Sequence, residues 1–153
     1  MNTAATPETV TTYANSPGAL GFVSLKNAQG DIEYLRYDAF VACLFKQESF
    51  RHMIDHARSG ICEEAGEHST WLKKHVVYGI PLDTVVESDK TLRQCIIEEQ
   101  GDLRFFLQAT MNLLHISEQE VLQGNANKLA IRYKGLVYTD QAAQDRADKK
   151  EGE

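Results

Sequence analysis

No run of this 153-residue chain approaches the ~18 consecutive apolar residues that cross a bilayer. A membrane partner is therefore not expected. The stretch from Met1 to Pro17 has neither the basic start nor the apolar run of a signal peptide, and the cytoplasm is the expected location. Cysteine is sparse. Cys43, Cys62 and Cys95 lie far apart and form no C-x-x-C pair, which favours free thiols in a reducing compartment over a disulfide framework. Positive charge is in deficit. With a net charge of −6, the chain lacks the basic face of a nucleic-acid binder, so no such partner is expected. There is no P-loop, dinucleotide fingerprint or nucleophile elbow. His52 and His56 have the i, i+4 spacing of a helical zinc pair, but Met53 stands where H-E-x-x-H requires glutamate, so zinc is not expected.

What remains is a globular, mainly helical pattern. Met1 to about Gly18 reads as a polar tail. Phe22–Leu25 and Ile32–Arg36 are strand candidates around the turn-rich Lys26-Asn27-Ala28-Gln29-Gly30-Asp31, a small hairpin. Asp38 can cap a helix through Phe45 that runs on to Met53, Ile54 and Ala57, with Ser59-Gly60 as a break. A second helix spans about Ile61 to Tyr78, with Ile61, Ala65, Leu72 and Val76 as its apolar stripe. Gly79 ends it, after Lys73, Lys74 and His75 in the last turns. Ile80 to Ser88 is a loop, and Ser88 is a candidate N-cap for the third helix, Thr91 to Leu114. Ser117-x-x-Glu120 is a capping box opening a fourth helix that Gly135 ends. The organisation is a tail and hairpin over 1–37, a helical core over 38–137 and a polar tail over 138–153. The fold class is all-α, a four-helix-type bundle.

The chemistry sits in two acidic runs. Glu63-Glu64-Ala65-Gly66-Glu67 and Glu98-Glu99-Gln100-Gly101-Asp102 share an E-E-x-x-acid pattern. Acids three apart project to one side of a helix. In the first run, Glu64, Glu67, Trp71 and Lys74 form a stripe flanking the apolar arc. In the second, Glu99 falls near the middle of the arc of Leu92, Ile96, Leu103, Phe106, Leu107, Thr110 and Leu114, and Asp102 lies at its edge. Glu-x-x-Glu is common on solvated faces, but a carboxylate facing a core is costly unless it is paired. Two facing helices would gather Glu64, Glu67, Glu99 and Asp102, and a hard divalent cation would supply the missing charge. Gly66 and Gly101 fit a close helix approach there.

These runs, with Leu72-Lys73-Lys74-His75-Val76-Val77-Tyr78-Gly79, Asn125-x-x-Lys128-Leu129-x-x-Arg132-Tyr133 and the Tyr138–Arg146 segment, follow in an order that resembles the MazG-like all-α nucleoside triphosphate pyrophosphohydrolases. The resemblance covers about His52 to Lys149. The spacer between the acidic runs is longer than in compact members, and Gln100 and Arg104 stand where apolar residues are common. The resemblance implies an oligomeric helical bundle, a homodimer or homotetramer. A bundle this thin would also expose much apolar surface alone. It implies Mg²⁺, with Mn²⁺ as a substitute, held by Glu64, Glu67, Glu99 and Asp102. It implies that Glu63, Glu64 or Glu98 activates water, and that Asn125, Lys128 and Arg132 contact the substrate, with Lys74 a further candidate. The expected reaction is cleavage of a nucleoside triphosphate between its α and β phosphates, giving monophosphate and pyrophosphate and controlling nucleotide pools. The alternatives are a relative directed at dUTP or phosphoribosyl-ATP, or a non-catalytic helical module that binds nucleotide or protein.

Overall fold

The computed structural model describes residues 21–149, so the expected tail over 1–18 and the last residues, 150–153, lie outside it. The chain divides into two units, one running to Leu114 and one from His115. Among the described residues the structure is mostly helical with small hairpins, and no helix is long and apolar enough to cross a membrane.

The first unit opens with the expected hairpin, β1 (Phe22–Lys26) against β2 (Ile32–Arg36), in antiparallel register with Phe22 opposite Arg36. Its turn is held by Asn27, whose Oδ1 accepts from the N–H groups of Gln29 and Asp31. Strand β2 passes directly into α1 (Tyr37–Leu44). Asp38 is therefore not the cap but a first-turn residue, gripped by the Arg36 guanidinium at 2.7 and 3.1 Å. Helix α1 also stops at Phe45 instead of continuing to Ala57. Ser49 starts a new helix by accepting from the His52 N–H.

That helix, α2, runs unbroken over Phe50–Val76, straight through Ser59-Gly60. Gly60 does not interrupt it because the missing side chain is what the packing needs. A Cβ there would lie 2.5 Å from the Phe106 ring. Gly66 and Gly101 have open space instead, so neither makes the close approach expected of it. Gly79 takes the left-handed φ of +68° and donates to the His75 carbonyl, ending the helical region as its sequence position implies.

The expected loop before the third helix contains a miniature hairpin. Strand β3 (Val85–Glu87) pairs with β4 (Lys90–Thr91) around Ser88 and Asp89, both at positive φ. Ser88 is a turn residue rather than a cap. Helix α3 (Leu92–Leu114) is capped by Thr91, whose hydroxyl accepts from the Gln94 N–H while the Gln94 amide oxygen accepts from the Thr91 N–H. The Leu92 and Arg93 N–H groups donate to the carbonyls of Thr84 and Leu82, which satisfies donors that a helix start leaves open.

Helices α2 and α3 form the main packed pair and run antiparallel, since Gly60 meets Phe106 near one end and Trp71 meets Glu99 toward the other. Two apolar clusters hold them. One joins Val41, Phe45, Ala57 and Ala109, with Phe105 and Phe106 packed against them. The other joins Trp71, Leu92 and Cys95. The buried stripe of α3 is rotated from the expected arc: Cys95, Gln108 and Ala109 are buried, while Leu107 and Leu114 are exposed. On α2, Val76 is 77% exposed and Leu72 lies at the surface. The face turned to α3 instead carries Ala57, Gly60, Glu64, His68 and Trp71.

The second unit is helix α4 (Glu118–Arg132), opened by the Ser117–Glu120 capping box, followed by a 3-10 turn at Lys134–Leu136 with Gly135 at φ +71°. A short helix, α5 (Asp140–Asp145), follows behind a Thr139 cap. A last turn at Ala147–Lys149 is tied to α4 through Arg132 and Asp148.

Candidate metal centre

The rotation of the α2 stripe brings Glu64 into the seam, where Glu99 already fell on the expected arc of α3. In α2, Glu64 is a full turn before His68 and two turns before Trp71, and all three share the face that meets α3. In α3, Glu99 is a turn beyond Cys95 on the buried side. The acidic stretch thus lies between the two apolar clusters, which hold the helices together on either side of it.

Glu64, Glu67 and Glu99 each offer one carboxylate oxygen within 4.8 Å of the others. Glu64 and Glu99 are half-buried and Glu67 is exposed. Asp102, the fourth expected ligand, is not among the three that meet; it is exposed and reaches Glu64 through its charge. Burial raises the Glu64 carboxyl above the usual carboxylate range, and the charges of Asp102, Glu67, Glu99 and Glu63 push it further, Asp102 most of the four. The arrangement is an all-oxygen donor set in which like charges crowd Glu64. That chemistry fits a hard divalent cation.

Other side chains shape the rim. The Trp71 indole Nε1 donates to Glu99 Oε1 at 3.2 Å across the helix pair. The Lys74 ammonium sits 3.6 Å from the centre of the Trp71 ring, so a positive charge lies on the same helix one turn beyond Glu67's neighbour on the stripe. Histidines His68 and His75 are hydrogen-bonded, His68 to the Gln100 amide and His75 to the Ile80 carbonyl, as structural histidines would be.

No family model, curated protein or solved structure matches the chain.

The other candidate residues have surroundings of their own. Glu98 is ion-paired at 2.7 Å with Lys90 of β4, an exposed contact on the hairpin side. Glu63 is exposed on α2 and reaches the cluster through its charge on Glu64. Asn125 and Lys128 are exposed on α4 in the second unit. Arg132, also on α4, is engaged by Asp148 through both Nε (2.6 Å) and a terminal nitrogen (2.8 Å), a bidentate grip that occupies the fork a phosphate would use. The residue underrated in the sequence is Trp71. Its place on the Glu64–Glu67 stripe was the available signal, and its bond to Glu99 depends on the partner helix.

Proposed function

We propose that the chain is a Mg²⁺-dependent nucleoside triphosphate pyrophosphohydrolase of the MazG-like kind, with Mn²⁺ able to substitute. The observation that carries the reading is the meeting of Glu64, Glu67 and Glu99 from two antiparallel helices, with the charge of Asp102 acting on Glu64. The helical pair and the order of the motifs support the family reading.

In this proposal Glu64, Glu67, Glu99 and Asp102 would hold the cation. Bound Mg²⁺ would neutralise charge on the phosphates and on the departing pyrophosphate. Glu63, or Glu64 through its free lone pairs, would orient the attacking water and take its proton. Attack at the α phosphorus would break the α–β anhydride and leave monophosphate and pyrophosphate. Lys74 is the cation of the first unit closest in the stripe to Glu67 and would meet the phosphate tail. The family resemblance nominates Asn125, Lys128 and Arg132 for substrate contact and a homodimer or homotetramer as the assembly, and Arg132 would have to release Asp148 before it could bind a phosphate.

The test is product analysis with purified variants. Wild-type protein with Mg²⁺ and a panel of canonical and modified nucleoside triphosphates, dUTP included, should release pyrophosphate. Glu99→Gln and Asp102→Asn should abolish that release while far-ultraviolet circular dichroism stays unchanged. Full turnover by either variant, or release of orthophosphate instead, refutes the assignment. Calorimetry that shows no Mg²⁺ binding, with or without nucleotide, would favour the non-catalytic module.

A further inference from the structure

We propose that Trp71 is a positioning residue for Glu99, holding that carboxylate in the orientation in which it meets a divalent cation; this rests on the cation-binding reading above. The indole has one donor and no acceptor, so a largely buried tryptophan requires an acceptor for its N–H. Trp71 is 9% exposed and packs against Leu92 and Cys95, which fixes the ring and the direction of Nε1. The acceptor it finds is not a local carbonyl but Glu99 on the facing helix, at 3.2 Å.

One N–H bond uses one lone pair of Oε1 and leaves the rest of the carboxylate available. It also restricts a side chain that would otherwise sample many rotamers and have to be ordered on binding. Lys74 strengthens the arrangement. Its ammonium, 3.6 Å from the ring centre, draws on the indole π density and makes the N–H a better donor. Hydrogen-bond partners of metal-binding side chains typically change affinity about 10- to 100-fold when removed.

The probe is Mn²⁺ alone, with free ion counted by electron paramagnetic resonance. Trp71→Phe keeps an aromatic ring and deletes the N–H, and should weaken Mn²⁺ binding about 10- to 100-fold. Glu99→Gln should also weaken it, and adding Trp71→Phe to that variant should bring no further loss, because the tryptophan then has no carboxylate to place. A purely packing role would weaken binding in both backgrounds, which overturns the proposal. Wild-type binding with an unchanged Trp71→Phe affinity overturns it too and leaves the cation site standing. A wild-type protein that binds no Mn²⁺ removes the site itself. If Trp71→Phe does not fold, the wild type still decides the matter, because Trp71 is the chain's one tryptophan. Mg²⁺ should change its emission with the midpoint of an independent Mg²⁺ binding titration, and emission that stays flat while the cation binds refutes the coupling.

Discussion

Adding one methyl group at Gly60 should destabilise the protein, while the same change at Gly66 or Gly101 should stabilise it. All three glycines lie within α2 or α3, where alanine is favoured over glycine by about 1 kcal/mol. At Gly66 and Gly101 a Cβ meets nothing within 4 Å, so each alanine should add roughly 0.5–1 kcal/mol. At Gly60 the Cβ would stand 2.5 Å from three atoms of the Phe106 ring, against 3.4–4 Å for an ordinary contact. The ring would have to retreat by about 1 Å, and it has little room. Phe105, His56 and Phe45 all set edges against it, at centroid distances of 5.4, 5.5 and 6.4 Å. Overpacking of this kind costs about 1–3 kcal/mol, and a hemmed ring argues for the upper end. Less the helix gain, Gly60→Ala should lose about 2 kcal/mol. At about 4 °C per kcal/mol, that lowers Tm by roughly 8 °C, while the other two variants each rise by a few degrees. Thermal and urea unfolding of the three variants in one buffer would measure this. A Gly60→Ala protein as stable as wild type would refute the packing argument.

The Arg132–Asp148 pair sets an acid limit on the second unit. The guanidinium holds the Asp148 carboxyl down at about 2, from an ordinary 3.8, so its contribution is present above pH 3.8 and is lost as pH falls toward 2. Amide protection at Ala147–Lys149, the exchange rate relative to the intrinsic rate at each pH, should therefore fall over that window in wild type, and Asp148→Asn should show low protection at neutral pH too; a flat wild-type protection profile would remove the pair from that role. Thr91→Ala, which deletes half of the capping box at α3, should destabilise by about 1 kcal/mol in urea titration, and no change would leave the cap to the loop carbonyls alone. Divalent cation should relieve the repulsion around Glu64, so Mg²⁺ should raise Tm in wild type and not in a Glu64→Gln/Glu99→Gln double variant, with an equal rise in both counting against the cluster.

The helices were legible where local chemistry decides them. The Ser117–Glu120 box, the left-handed Gly79 and the Asn27–Gly30 turn all formed as their residue types imply. Sequence and structure part where a neighbour decides. Ser59-Gly60 looks like a breaker until Phe106 is laid on it. Ser88 looks like a cap until the β3–β4 pairing claims it for a turn. The acidic stripe of α2 looked like a flank of the apolar arc because Val76 and Leu72 weigh more on a hydropathy count than Gly60 or Ala57, yet the small residues mark the seam. Glu64, Glu67 and Glu99 could be nominated from spacing, but the bond from Trp71 to Glu99 is a tertiary fact. The engagement of Arg132 by Asp148 was equally invisible, since the partners are sixteen residues apart.

The way α3 begins frees the segment ahead of it. Thr91, Gln94 and the carbonyls of Leu82 and Thr84 anchor the first turn on their own, and the Ser88–Asp89 tip takes no part in that anchorage. Chain inserted at the tip would lengthen the connection without shifting Glu99 by a residue or turning it out of register with Glu64. The distance in sequence between the two acidic runs is thus uncoupled from their distance in space, and a tag or a reporter loop has a natural point of entry there.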